Sequence, residues 1–216
     1  YIPSGRCVQA LNYKHAKGGY VEHVPDSLTK AFYTIGGREV RDGGGIKPDV
    51  EVKPDSVPNI AFYLAGVRDS NEVMLNYEID YIAKHSTIAP AEEFALSDAD
   101  YDEFKERVLK ADFKYDRETE KYLKDLEKLA KFEGYYDDAK VEFEALKKKL
   151  SHNVAKDLDY NKETIKHLLE NDIVAAYYYQ GGAIRNSLRY DKQVKEAMKL
   201  LNSPEEYQKK LRPVKK

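Results

Sequence analysis

The sequence predicts an α+β fold, mainly α: short β-strands and turns over residues 1–58, then a multi-helix part over residues 59–216. Most of the glycines and prolines stand before residue 59, where they act as turn punctuation. The segments between them alternate with a period of two rather than following a helical period. From Asn59 onward, apolar residues recur at three- and four-residue spacing.

In the first part, Pro3-Ser4-Gly5 is turn chemistry, and Arg6–Leu11 then reads as a strand. Residues 12–27 are polar and glycine-containing, as an exposed excursion would be. Ala31–Thr34 and Arg38–Arg41 read as a hairpin around Ile35-Gly36-Gly37. Residues 41–50 are RDGGGIKPDV, three glycines beside a proline. A phosphate-cradling loop would place its glycines between a strand and a helix. Here Asp49–Pro54 follows and reads as another short strand, so a turn fits better. Glycine admits positive φ, and Pro48 biases Lys47 toward extended backbone.

The second part reads as helices. Ile60, Tyr63, Leu64 and Val67 form one stripe, and Val73, Met74, Tyr77, Tyr81 and Ile82 the next. Ser97 is an N-cap, with Asp100 three residues on and Tyr101, Phe104 and Val108 as the apolar face. Tyr122, Leu123, Leu126, Leu129 and Ala130 give a further stripe. Ala139, Phe143, Leu146, Leu150 and Val154 read as one more. A helix then carries Ile165, Leu168, Leu169, Ile173, Ala176 and Tyr177. Asp191 opens another, and Ser203-Pro204-Glu205-Glu206 fits a last helix start with proline at the first position. Gly181 and Gly182, after three tyrosines, either break their helix or admit a close neighbour. The many tyrosines suit half-buried faces, with the ring packed and the hydroxyl reaching water. No fixed-period repeat runs through the chain.

The chain has 216 residues, with 36 Lys and Arg against 38 Asp and Glu and a net charge of −2. That balance describes a globular protein with charged helix surfaces and argues against a nucleic-acid partner. No apolar run approaches the ~20 residues of a membrane span. Cys7 is the single cysteine, so no internal disulfide forms, and it reads as a strand residue rather than a nucleophile. His15, His23, His85, His152 and His167 are scattered without metal-ligand spacing. Ser4 stands in a tight turn but lacks a G-x-S-x-G frame. No catalytic, cofactor-binding or metal residue is assigned, and no cofactor is expected.

Two motifs carry a resemblance. Tyr1, Pro3, Ser4, Gly5, Arg6 and Gln9 match a Y-x-P-S-G-R-x-I-Q pattern, with Val8 in place of isoleucine. Gly45, Ile46, Pro48, Asp49 and Val50 match G-I-x-P-D-[VI]. In this order they resemble the end of the protease core of the S41 family, the carboxyl-terminal processing peptidases. The helical remainder is similar to the C-terminal extension of such enzymes from Bacteroidetes-like bacteria. The resemblance implies a hydrolase in the periplasm or cell envelope, with a serine attacking the peptide carbonyl and a lysine taking its proton. Both catalytic residues, and the PDZ-like domain that presents substrate, lie upstream of the first motif in that family. The chain is therefore expected to be a C-terminal piece of such an enzyme. On its own it would be inactive, its partners being the rest of its peptidase chain, protein substrates and a second copy in a homo-dimer. A stand-alone helical interaction module without enzymatic activity is the rival expectation.

Overall fold

The computed structural model describes residues 2–3, 5–9, 25–54, 56–67 and 72–211. Ser4, His15, His23 and most of the excursion at 12–27 lie outside the described residues. The chain forms two compact units, Tyr1–Pro54 with Asp191–Lys216, and Asp55–Tyr190. Helices dominate and one small sheet accompanies them, so the fold is α+β, mainly α.

In the first unit, β1 (Ala31–Tyr33) and β2 (Glu39–Arg41) pair antiparallel, with Phe32 opposite Val40. This is the expected hairpin, and Gly37 turns it with φ +78. Two expected strands do not form. Residues 6–9 are irregular, and residues 10–11 lie outside the described residues. Asp49–Pro54 is irregular as well. A strand persists only with a neighbour on its ladder, and among the described residues the sheet holds β1 and β2 alone. The prolines at 48 and 54 also remove two N–H donors from that segment. Helices α8 (Lys192–Leu201) and α9 (Pro204–Leu211) belong to this unit. Asp191 caps α8 by accepting from the Gln193 and Val194 amides, and Pro204 opens α9, both as the sequence predicts.

The second unit holds α1 (Asn59–Phe62), a π turn over Tyr63–Val67, and helices α2 to α7. Helix α2 spans Val73–Lys84, and α3 spans Asp98–Lys110. Ser97 and Asp100 form the full capping box at the start of α3. Helix α4 spans Glu118–Glu133 and α5 spans Lys140–Lys149. Then come α6 (Val154–Tyr160) and α7 (Lys162–Ser187). The stripe expected from Ala139 through Val154 is split between α5 and α6. Asn153 leaves the helix and caps α6, its side chain accepting from the Lys156 amide at 2.9 Å. An Asx side chain that offers the backbone a better partner than the helix does will interrupt the pattern.

The core of this unit is built by α1, α2, α3, α6 and α7. Tyr77, Tyr101, Phe104, Leu158, Leu169 and Ile173 are at most 2% exposed. Each such side chain contributes roughly 1.5–3 kcal/mol by leaving water. The α4 stripe behaves differently: Leu123 is buried, while Tyr122, Leu126 and Leu129 are more than half exposed.

Candidate functional site

In the first unit the two sequence motifs are brought together. The Gly5 amide donates to the Ile2 carbonyl at 2.8 Å, which closes the turn read at Pro3-Ser4-Gly5. The glycine run forms the second turn, with Gly43 at φ +80 and Gly45 at φ +78. A side chain on Gly45 would reach 3.8 Å from the Val8 carbonyl oxygen, so this turn lies against the segment of the first motif. Asp49, from the P-D step of the second motif, forms an ion pair with Arg38 just before β2.

Between these segments lies a cleft of about 570 Å³, lined among others by Arg6, Arg38, Arg41, Gly45 and Lys47. Arg6 is 7% exposed, and its Nε has no hydrogen-bond partner among the described residues. Arg41 donates to the Asp26 carbonyl at 3.0 Å and to Glu39 Oε1 at 2.9 Å. Asp42 accepts from the Lys30 amide at 2.7 Å. Two of the cleft's cations, Arg38 and Arg41, are paired with its own acids, Asp49 and Glu39. This geometry braces two turns on a hairpin. Among the described residues it assembles no nucleophile with a base.

The other singled-out residues have structural roles. Cys7 is a free, half-buried thiol. His85 stacks on Tyr81, and its Nδ1 lies 2.8 Å from the Tyr81 carbonyl. His152 stands edge-on to Tyr115 and 3.6 Å from Asp157, while His167 stacks on Tyr190. No group of three His, Cys, Asp or Glu side chains among the described residues is placed to hold a metal ion. No helix among them is long and apolar enough to cross a membrane.

The second unit concentrates its polar side chains on one stretch of backbone, the connection 85–97 between α2 and α3. From α7, the Tyr177 hydroxyl donates to the His85 carbonyl, and that of Tyr178 to Ile88 at 3.2 Å. The Asn186 amide donates to the Ala91 and Phe94 carbonyls at 2.8 and 3.0 Å. Arg189 also donates to Phe94, and buried Glu170 accepts from the Leu96 amide at 2.9 Å. The Tyr177 and Tyr178 hydroxyls thus satisfy loop carbonyls, whereas tyrosines such as Tyr122 and Tyr160 are exposed as expected; a composition-level reading holds no signal for that choice. Burial and the Glu170 carboxylate push the Tyr190 hydroxyl up to about 12. Glu78 on α2 is buried, its Oε1 has no hydrogen-bond partner among the described residues, and burial with the Asp172 carboxylate raises it to about 8.

This helical unit decides the comparison. A family described as "Probable PDZ-protease, C-terminal helical domain" matches residues 60–201. The chain belongs to that family. The match runs from the start of α1 through α8, and so covers the helices whose stripes were legible in the sequence. It agrees with the resemblance to the C-terminal part of a carboxyl-terminal processing protease. The comparison with curated proteins found no match, and neither did the comparison with solved structures. As a member of a PDZ-protease domain family, the chain partners the rest of such a protease.

Proposed function

We propose that this chain is the C-terminal part of a serine-type S41 endopeptidase, exported to the bacterial periplasm or cell envelope, and that its helical domain is a scaffold for the catalytic core. The supporting observation is the joining of the two motifs. The P-S-G-R turn and the G-I-x-P-D turn lie side by side on the β1–β2 hairpin, in a chain whose helices belong to a PDZ-protease family. In the S41 family the attacking serine and the proton-accepting lysine precede the first of these motifs. The first unit would then add its hairpin and turns to the edge of the protease sheet. The stapled connection 85–97 and α7 would give the scaffold its stiffness. A pairing role for the helices in a homo-dimer is part of the same reading.

The coding sequence read upstream of Tyr1 tests this. A serine motif and a lysine motif are expected there, and a start codon at that position would overturn the reading. The 216-residue chain alone should leave casein and a C-terminally tagged peptide uncut. The longer product should cleave the tagged peptide and lose that activity when its upstream serine is replaced by alanine.

A further inference from the structure

Helix α4 carries two apolar faces. One is built into the fold: Leu123 is buried, and Glu127 accepts from Lys147 of α5 at 2.9 Å and from Lys131 at 2.8 Å. The other is bare. Tyr122, Leu126, Leu129 and Phe132 are 67%, 52%, 51% and 90% exposed, and they follow one another at spacings of four, three and three residues along one side of the helix. A ridge with this spacing is the kind that packs against another helix.

The charges bordering the ridge say which helix. Along one side they run Glu118, Lys121, Asp125 and Lys128, alternating in sign. A second α4 laid parallel would set each charge against itself. Laid antiparallel, with the two-fold axis between Leu126 and Leu129, it would set Leu126 on the second copy's Leu129 and Tyr122 on its Phe132. The same register would put Asp125 beside the second copy's Lys128, and Lys128 beside its Asp125. Apolar and charged positions agree on one register, which is what an isologous contact requires. The present partners of these charges do not compete strongly. Lys128 holds Asp125 at 2.9 Å and Lys121 holds Glu118 at 3.7 Å, within the helix and well exposed, and such pairs contribute little.

We propose that α4 is a self-pairing surface, through which two copies of this chain join antiparallel along the ridge of Tyr122, Leu126, Leu129 and Phe132. This deepens the pairing role in the function proposed above. Its test reads mass rather than proteolysis, so the two readings fail separately.

Light scattering on the whole chain across a micromolar concentration series should show a reversible dimer. Leu126→Asp should yield a monomer with unchanged helical circular dichroism, because the position is exposed in the single copy. Asp125→Lys and Lys128→Asp should each raise the dissociation constant about tenfold. The double variant D125K/K128D, which restores opposite charges across the axis, should return it to the starting value. A chain that stays monomeric at high micromolar concentration overturns the proposal, and so does a dimer indifferent to Leu126→Asp or to the charge swaps.

Discussion

Glu170, 1% exposed on α7, accepts hydrogen bonds from two directions, from the Leu96 amide at 2.9 Å and from the Tyr190 hydroxyl at 2.7 Å. One carboxylate thereby fixes the end of the connection 85–97 just before the Ser97 cap, and also the end of α7. Glu170→Ala would leave a buried amide without a partner, which costs roughly 1–3 kcal/mol beyond the lost packing. Tyr190→Phe should cost less, about 1 kcal/mol, since Leu96 keeps its acceptor. Urea denaturation of the two variants checks the order. Equal, negligible effects would refute the clamp.

Glu78 makes stability depend on pH. Its carboxyl, ordinarily at 4.5, is raised to about 8, first by burial and then by Asp172. A carboxyl raised in the folded state binds its proton more tightly there than in the unfolded chain. Its contribution to stability is therefore greatest below 4.5 and is lost progressively as pH rises from 4.5 through 8. Glu78→Gln keeps the shape without the charge. It should melt higher than the parent at pH 8 and show a flatter melting curve between pH 6 and 9. A parent whose stability rises over that interval, with Glu78→Gln identical to it, would contradict this assignment.

The two glycines after the tyrosines should respond in opposite ways. A Cβ on Gly182 would stand 2.2 Å from Tyr178 Cβ, too close for either to yield without backbone movement. A Cβ on Gly181 meets nothing within 4 Å. Gly182→Ala should therefore destabilise by more than about 1 kcal/mol, as an overpacked site does. Gly181→Ala should be neutral or stabilise by roughly 0.5–1 kcal/mol, because alanine loses less entropy in a helix. Thermal melts of the pair decide it.

Ser97 both caps α3 and closes the capping box with Asp100, whose amide donates to the Ser97 hydroxyl oxygen at 3.1 Å. Ser97→Ala should cost about 1 kcal/mol. Ser97→Asp should retain most of the stability, since an acidic oxygen can accept the same amide near the positive end of the helix. Loss of stability in both variants alike would show that the cap contributes nothing here.

By itself the sequence determined the helical class, the hairpin and the caps at Ser97 and Asp191. Those features depend on neighbours within a few residues, through the period of apolar side chains, through glycine at positive φ, or through a short polar side chain reaching the next turn. The family motifs were equally legible, because they are runs of consecutive residues.

Tertiary structure decided what depends on distant partners. Arg6–Gln9 and Asp49–Pro54 have strand-like residues but lie outside the β1–β2 ladder, and a strand is defined by its neighbour. The α4 and α3 stripes look alike in sequence. Phe104 is fully buried and Phe132 is 90% exposed, because α3 packs on α2 and α6 while one face of α4 is left largely uncovered by the described residues. The bonds from Tyr177, Tyr178, Asn186 and Glu170 to the connection 85–97 span more than seventy residues. Local sequence holds no record of such a bond, since its geometry exists only once α2 and α7 have packed and brought the two segments together.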